Sequence, residues 1–412
     1  MAASLQTNFS LTSTVDWTMI NTTSRNFTRT RYKNIMQGFD CKEINNFIKL
    51  YPISNSIINF RLANHYIALV ICIMGMVGNT LLIAVLTRPK MRSPINIIMT
   101  GLAAADQAMM MTYGIYVVYF RIIFSPLKEI FESSHTSQWI YVSLYHYIYP
   151  FSHAMGEWLT LAIAIIRYMA CKPRLPPRDL NKTQAKLVIL TVGIGSLLIC
   201  VPNFVYFDVD QNKRTACYKI TQSDMVKSSK YFHDFWFWFV FLAYRLVPNS
   251  LLILFTGLIL WELRKIAIQR RTTLGNRTSS EEILATKMLL SIAIFTVLTE
   301  CPKIIVPLVY RFSFNASEHN SHANFLEKIE SKLLKESVMS FLENFILLDS
   351  CVNFIIYCSM SRVFRVTFMT MFVSKHQADS GMSRMSQTTR TMVDNNSVEL
   401  QAMIKAADHS PE

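Results

Sequence analysis

Tyr66-Ile-Ala-Leu-Val-Ile-Cys-Ile-Met-Gly-Met-Val-Gly-Asn-Thr-Leu-Leu-Ile-Ala-Val-Leu-Thr87 contains no charged side chain. At about 1.5 Å per residue, a helix of this length spans about 33 Å, enough to cross a hydrocarbon core of about 30 Å. Six further apolar runs follow, near 95–120, 139–166, 187–207, 235–261, 283–310 and 338–360. The fourth run, 187–207, is also free of charge, whereas the others carry isolated ionisable residues: Asp106, Glu157, Arg245, Lys287, Glu300, Lys303, Glu343 and Asp349. Charges at bilayer depth face a bundle interior or a watery cavity rather than lipid. The predicted fold is all-α: a seven-transmembrane helix bundle.

Composition agrees. The 412 residues are 51% apolar and 17% charged, against about 25% charged in a soluble domain. Disordered, collagen-like and disulfide-stapled classes are excluded by high hydrophobicity, sparse Gly and Pro, and only 8 Cys. The net charge of +14 falls in the loops and tails, which suits anionic membrane lipid and a protein partner better than nucleic acid. No Gly-rich phosphate loop, metal-spaced Cys/His cluster or nucleophile motif is present, so the chain does not read as an enzyme, and no cofactor is called for. A transporter or channel is the rival class, disfavoured by the odd number of spans and the lack of a repeat.

Basic residues set the orientation. Arg88, Lys90 and Arg92, then Lys172, Arg174, Arg178, Lys182 and Lys186, then Arg264, Lys265, Arg270, Arg271 and Arg277 fall on one side, whereas opposite loops carry nearly balanced charge. Basic loops remain cytoplasmic, which places residues 1–62 outside as a polar tail and 374–412 inside as a polar cytoplasmic tail, a plasma-membrane topology. The start lacks a cleavable-signal pattern, leaving the first span as the insertion signal. Glycosylation sequons begin at Asn8, Asn21, Asn26 and, in the predicted outer loop before the last span, Asn315; Asn181, Asn276 and Asn395 begin others on the predicted inner side. Residues 361–373 alternate Val363, Phe364, Val366, Phe368, Met369 and Phe372 with Arg362 and Arg365, the pattern of an amphipathic helix 8 on the inner membrane face.

Short strings within the spans carry a resemblance. They are Gly78-Asn79, the run from Lys90-Met-Arg-Ser-Pro-Ile-Asn to Asp106, the run from Glu157-Trp-Leu-Thr to Arg167-Tyr168, Pro248, Thr299-Glu300-Cys301-Pro302, and Asn353-Phe-Ile-Ile-Tyr357. Together, and in this order over roughly residues 62–373, they resemble rhodopsin-like G-protein-coupled receptors. Met-Arg-Ser-Pro-x-Asn, Trp-Leu-Thr, Thr-Glu-x-Pro and Asn-Phe-x-x-Tyr-Cys are similar to the myosuppressin, FMRFamide-like and sex-peptide receptor group and to nematode class-W serpentine receptors. Departures from the branch pattern are Glu157, where it tends to be apolar, and Lys303-Ile304 after Pro302.

The resemblance implies roles. Asp106, with Asn79, Asp349, Ser350 and Asn353, forms a polar switch core, either a sodium site or a hydrogen-bonded knot. Arg167 follows Ile166 rather than an acid, so Glu282 at the base of span six is its implied latch partner; the alternative is a pair of solvated helix-end charges. Tyr357 moves inward on activation, and Pro248 and Pro302 bend or hinge their helices. Tyr149 stands where amine receptors place Asp and Leu347 where light receptors place Lys, against both ligand types. The implied ligand is an extracellular amidated neuropeptide, with a chemoreceptor for an environmental cue as the alternative. Candidate ligand contacts are Tyr113, Tyr116, His146, Tyr149, His153, Glu300, Lys303 and Glu343, with Trp158 nearby. Glu300 and Glu343 would take a peptide Arg; alternatively Glu300 is neutralised by Lys303 one turn on. Cys41 and Cys217 are the cysteines available for an outer disulfide. Ser380, Ser383, Ser386, Thr388, Thr389 and Thr391 are candidate phosphorylation sites that would recruit arrestin, alongside coupling to a heterotrimeric G protein.

Overall fold

The computed structural model describes residues 55–123, 134–171, 180–211, 218–272, 280–317 and 325–372. Helix α1 is Asn55–Leu86. Helix α2 is Pro94–Tyr116, continued by wider, π-type turns over Val117–Ile123. Helix α3 runs through His135–Tyr141, π-type turns at Val142–Ile148, and Tyr149–Cys171. Helix α4 is Lys182–Tyr206, and α5 runs through Lys230–Val240, π-type turns at Phe241–Leu246, and Val247–Thr272. Helices α6, α7 and α8 are Ser280–Ser317, Phe325–Met360 and Arg362–Phe372.

Local chemistry explains the starts and breaks. The Ser93 hydroxyl accepts from the Asn96 N–H at 3.2 Å, and Pro94 follows in the first turn of α2, where a missing N–H costs nothing. Gln184 Oε1 accepts from the Asn181 N–H at 2.9 Å and closes the start of α4. The π-type turns of α3 and α5 lie just before Pro150 and Pro248. A proline ring clashes with the carbonyl four residues back and offers it no donor, so the preceding turn widens.

The helices close into a ring in which α1 packs on α2 and α7, α2 on α3, α3 on α5, and α6 on α5 and α7, while α4 lies outside against α2 and α3. Lipid supplies little drive to bury apolar surface, so close packing decides which helices touch. At Gly75 an added Cβ would lie 2.7 Å from Cys351 Sγ of α7 and closer still to the Met110 side chain of α2. Helix α4 turns Leu190, Ile194, Leu197, Leu198 and Phe204 outward, as lipid-facing positions require. At the far end, Phe364 of α8 is fully buried against Tyr357, and Arg365 Nη1 donates to the Cys358 and Ser359 carbonyls at 3.1 and 2.7 Å. Val363, Val366 and Met369 face outward, giving α8 the expected amphipathic character.

The structure corrects the sequence reading in several places. Six helices among the described residues are long and apolar enough to cross a membrane by themselves, and α2 is not among them. Asn96, Asp106 and Gln107 dilute its apolar run, yet it is enclosed between α1 and α3 and completes the seven-helix bundle. The all-α class holds, with one small sheet added among the described residues. Strands β1, Phe207–Gln211, and β2, Tyr218–Gln222, form an antiparallel hairpin with Val209 opposite Ile220. Asn315 belongs to the last turn of α6 rather than to a loop, because hydrogen bonding carries the helix beyond its apolar stretch. For the same reason α7 begins at Phe325 instead of near 338, and α1 already includes residues assigned to the tail.

Candidate functional site

Two polar centres occupy the interior. Nearer α8, Asp106 of α2 accepts from Ser350 Oγ and Asn353 Nδ2 of α7, each at 3.0 Å. Asn79 Nδ2 of α1 donates to the Ser350 carbonyl at 3.3 Å, and the Thr296 hydroxyl meets both oxygens of Asp349 at 3.2 and 3.1 Å. The expected core of Asn79, Asp106, Asp349, Ser350 and Asn353 is therefore assembled. Asp106, Asp349, Ser350 and Asn353 line one cavity, an oxygen-rich set of the kind a small hard cation takes, and Asn79 Oδ1 is buried without a hydrogen-bond partner.

Nearer the hairpin lies an ionic network linking four helices. Lys303 of α6, fully buried, places Nζ 2.5 Å from Glu343 Oε2 of α7, and the Tyr149 hydroxyl of α3 donates to the same carboxylate. Glu300 of α6 faces His153 Nε2 of α3 at 3.2 Å and Arg245 Nη1 of α5 at 3.8 Å. His153 Nδ1 is 2.9 Å from the Tyr244 hydroxyl, which donates to the Pro150 carbonyl at 2.8 Å. Glu157, one turn below His153, is buried 3.6 Å from it.

This arrangement decides between the alternatives for Glu300 and corrects the placement of His146. Glu300 is not neutralised by Lys303, whose ammonium is drawn across to Glu343. Glu157, a departure from the branch pattern, points into the bundle beside His153. His146 leaves the cluster: its ring stacks on Phe207 of the hairpin at 3.8 Å, and its carbonyl accepts from Asn203 Nδ2 of α4. The extra residue in the π-type turns rotates His146 off the face that carries Tyr149 and His153. Trp158 packs instead with the Leu161, Leu252 and Leu290 cluster between α3, α5 and α6, where Tyr168 also lies against Phe255.

Tyr113 and Tyr116 cap the network together with Tyr145, whose ring stacks on Tyr116 at 4.6 Å. Arg121 lies 5.0 Å from the Tyr116 ring centroid, a cation–π contact. Tyr244, Arg245, Tyr145 and Arg121 were not named as site residues. The mid-span charge of Arg245 was the available signal; the tyrosines had none, because their roles depend on partners in other helices.

Arg167, Tyr357, Pro248 and Pro302 lie on their expected helices, and Arg167 lines a cavity with Thr286 between α3 and α6, toward the α8 end. The Glu282 side chain, Cys41, Cys217, Asn8, Asn21, Asn26 and Ser380, Ser383, Ser386, Thr388, Thr389 and Thr391 lie outside the described residues. Among the described residues Cys72, Cys200, Cys301, Cys351 and Cys358 are free thiols.

A ring of seven helices with an amphipathic eighth, enclosing a polar core beneath a cross-bundle ionic network, defines a seven-helix membrane receptor. Residues 66–375 match the family of serpentine type 7TM GPCR chemoreceptors Srw, and the chain belongs to it. It is similar to the G-protein coupled receptor dmsr-1 of Caenorhabditis elegans, 24% identical over 385 residues, 79% of this chain and 71% of that protein. The FMRFamide receptor of Drosophila melanogaster is 24% identical over 328 residues, 74% of this chain and 53% of the relative. The Sex peptide receptor of the same fly is 24% identical over 335 residues, 76% of this chain and 72% of the relative. The protein is thus a multi-pass membrane G-protein-coupled receptor.

Proposed function

We propose that the receptor responds to an extracellular amidated peptide of the FMRFamide-like type, with the hairpin end outside the cell and α8 inside. The observation that carries this reading is the Lys303–Glu343 pair beneath the tyrosine cap. A peptide guanidinium can grip a carboxylate with two parallel hydrogen bonds where Lys303 offers a point charge. Exchange of Lys303 for a peptide Arg would release α6 from α7, while Tyr113, Tyr116 and Tyr149 receive the Phe ring. The names of the similar receptors support the peptide class.

On this reading, outward movement of α6 frees Arg167 from Glu282 for the heterotrimeric G protein. Tyr357 and Asn353 rearrange as a sodium ion leaves Asp106, and the phosphorylated tail recruits arrestin. The family description favours one second reading, a chemoreceptor for an environmental cue.

Cells carrying the full chain and a G-protein reporter, challenged with amidated peptides, provide the test. An Arg-Phe-amide peptide should signal, and replacing its Arg with neutral citrulline should lower potency by about 10–150-fold, the worth of a charge-assisted hydrogen bond of about 1.5–3 kcal/mol. Silence across amidated peptides, or equal potency for citrulline, would reject the reading.

A further inference from the structure

The geometry points to a divalent transition-metal site, of the Zn2+ class, formed by His153 and Glu157 of α3 with Glu300 of α6. One ligand atom from each residue lies within 4.8 Å of the others, and all three side chains are buried. His153 Nε2 is 3.2 Å from Glu300 Oε1 and 3.6 Å from Glu157 Oε1. Zn–N and Zn–O bonds of about 2.0–2.1 Å imply a tetrahedral edge of about 3.3 Å, so both separations suit two donors sharing one ion.

The hydrogen bonds around His153 orient it as a ligand. Tyr244 gives its proton to the Pro150 carbonyl, so its oxygen accepts from Nδ1–H of His153. With the proton on Nδ1, the Nε2 lone pair of a neutral ring points at two carboxylates, an arrangement that a cation between them would satisfy. A metal-ligating histidine held by its other nitrogen is the usual outer-shell arrangement. A proton on Nε2 would serve Glu300, at hydrogen-bond distance, but not Glu157, and both Glu157 oxygens are buried without a hydrogen-bond partner. A metal ion at the centre gives all three groups a partner.

Charge favours the same occupant. Glu157, Glu300 and Glu343 exceed Arg245 and Lys303 by one negative charge, and Asp106 and Asp349 line the cavity that His153, Glu157 and Glu300 share. An imidazole with two carboxylates selects a first-row divalent ion over sodium, magnesium or calcium, which prefer oxygen alone. A fourth ligand would be water from that cavity. Arg245 at Glu300 Oε2 leaves Oε1 for the ion and acts as an outer partner. Such an ion would tie α3 to α6.

The test uses the full chain purified in detergent and titrated with Co2+, a spectroscopic substitute for Zn2+. Tetrahedral Co2+ absorption should saturate at about one ion per chain and disappear on adding Zn2+. Glu157→Gln, nearly isosteric, and His153→Gln should weaken binding by more than about 100-fold, beyond the 10–100-fold expected for loss of an outer-shell partner in Tyr244→Phe. Thermal unfolding of each variant establishes that it is folded. Absence of tetrahedral absorption in the folded wild-type chain overturns the proposal. So does binding that survives Glu157→Gln but is lost in Asp106→Asn, which would place the ion in the lower core.

Discussion

Lys303→Met is the most informative perturbation of the bundle. The lysine is fully buried, and its ammonium lies 2.5 Å from Glu343 Oε2. At an effective dielectric constant of about 20 the gross attraction at this distance is about 6–7 kcal/mol, set against the cost of desolvating both ions. Removing the lysine alone leaves a buried carboxylate held mainly by the Tyr149 hydroxyl, and breaking such a pair from one side costs about 3–5 kcal/mol. Replacing both residues, as Lys303→Met with Glu343→Gln, removes the stranded charge and should restore most of that loss. Reversible unfolding of the detergent-purified full chain measures both variants. A single-variant loss below about 1 kcal/mol, or a double variant no more stable than the single one, would refute a buried ion pair joining α6 to α7.

Gly75→Val should destabilise the α1–α2–α7 contact by about 1–3 kcal/mol, since even a Cβ would press on Met110 and Cys351; surface expression and unfolding read the loss. Arg365→Met keeps the aliphatic stem but removes the donors to the last carbonyls of α7, and should cost about 1.5 kcal/mol in the same unfolding measurement. Glu282→Ala should raise ligand-free signalling about 1.5–5-fold, the worth of an ion pair of about 0.2–1 kcal/mol; an unchanged basal level in a reporter assay contradicts the latch.

Much of the fold was legible because bilayer thickness imposes a length on each helix and penalises charge within it. That rule located α1 and α4 outright, and it flagged α2 through Asp106 even though Asn96 and Gln107 make the helix too polar to qualify alone. The lower core was legible because its residues recur as short local strings. Pairing in the upper network was not. Glu300 and Lys303 are three residues apart and look like a pair, but their side chains meet different neighbours, α3 with α5 and α7 respectively. His146 was misplaced for a related reason: a helical wheel assumes constant pitch, and Val142–Ile148 violates it. The hairpin did leave a trace in the alternation of Phe207 and Val209 with Asp208 and Asp210.

The widened turns of α2, α3 and α5 make each of these helices two segments with independent phase. An additional residue in one turn offsets everything beyond it by about 100°. A one-residue insertion or deletion within Val142–Ile148 would therefore swivel Tyr141 and the outermost turn about the helix axis, while Glu157 and Arg167 keep their bearings. Evolution can in this way re-aim the hairpin end of the bundle by changes in length as readily as by substitution, leaving the α8 end untouched.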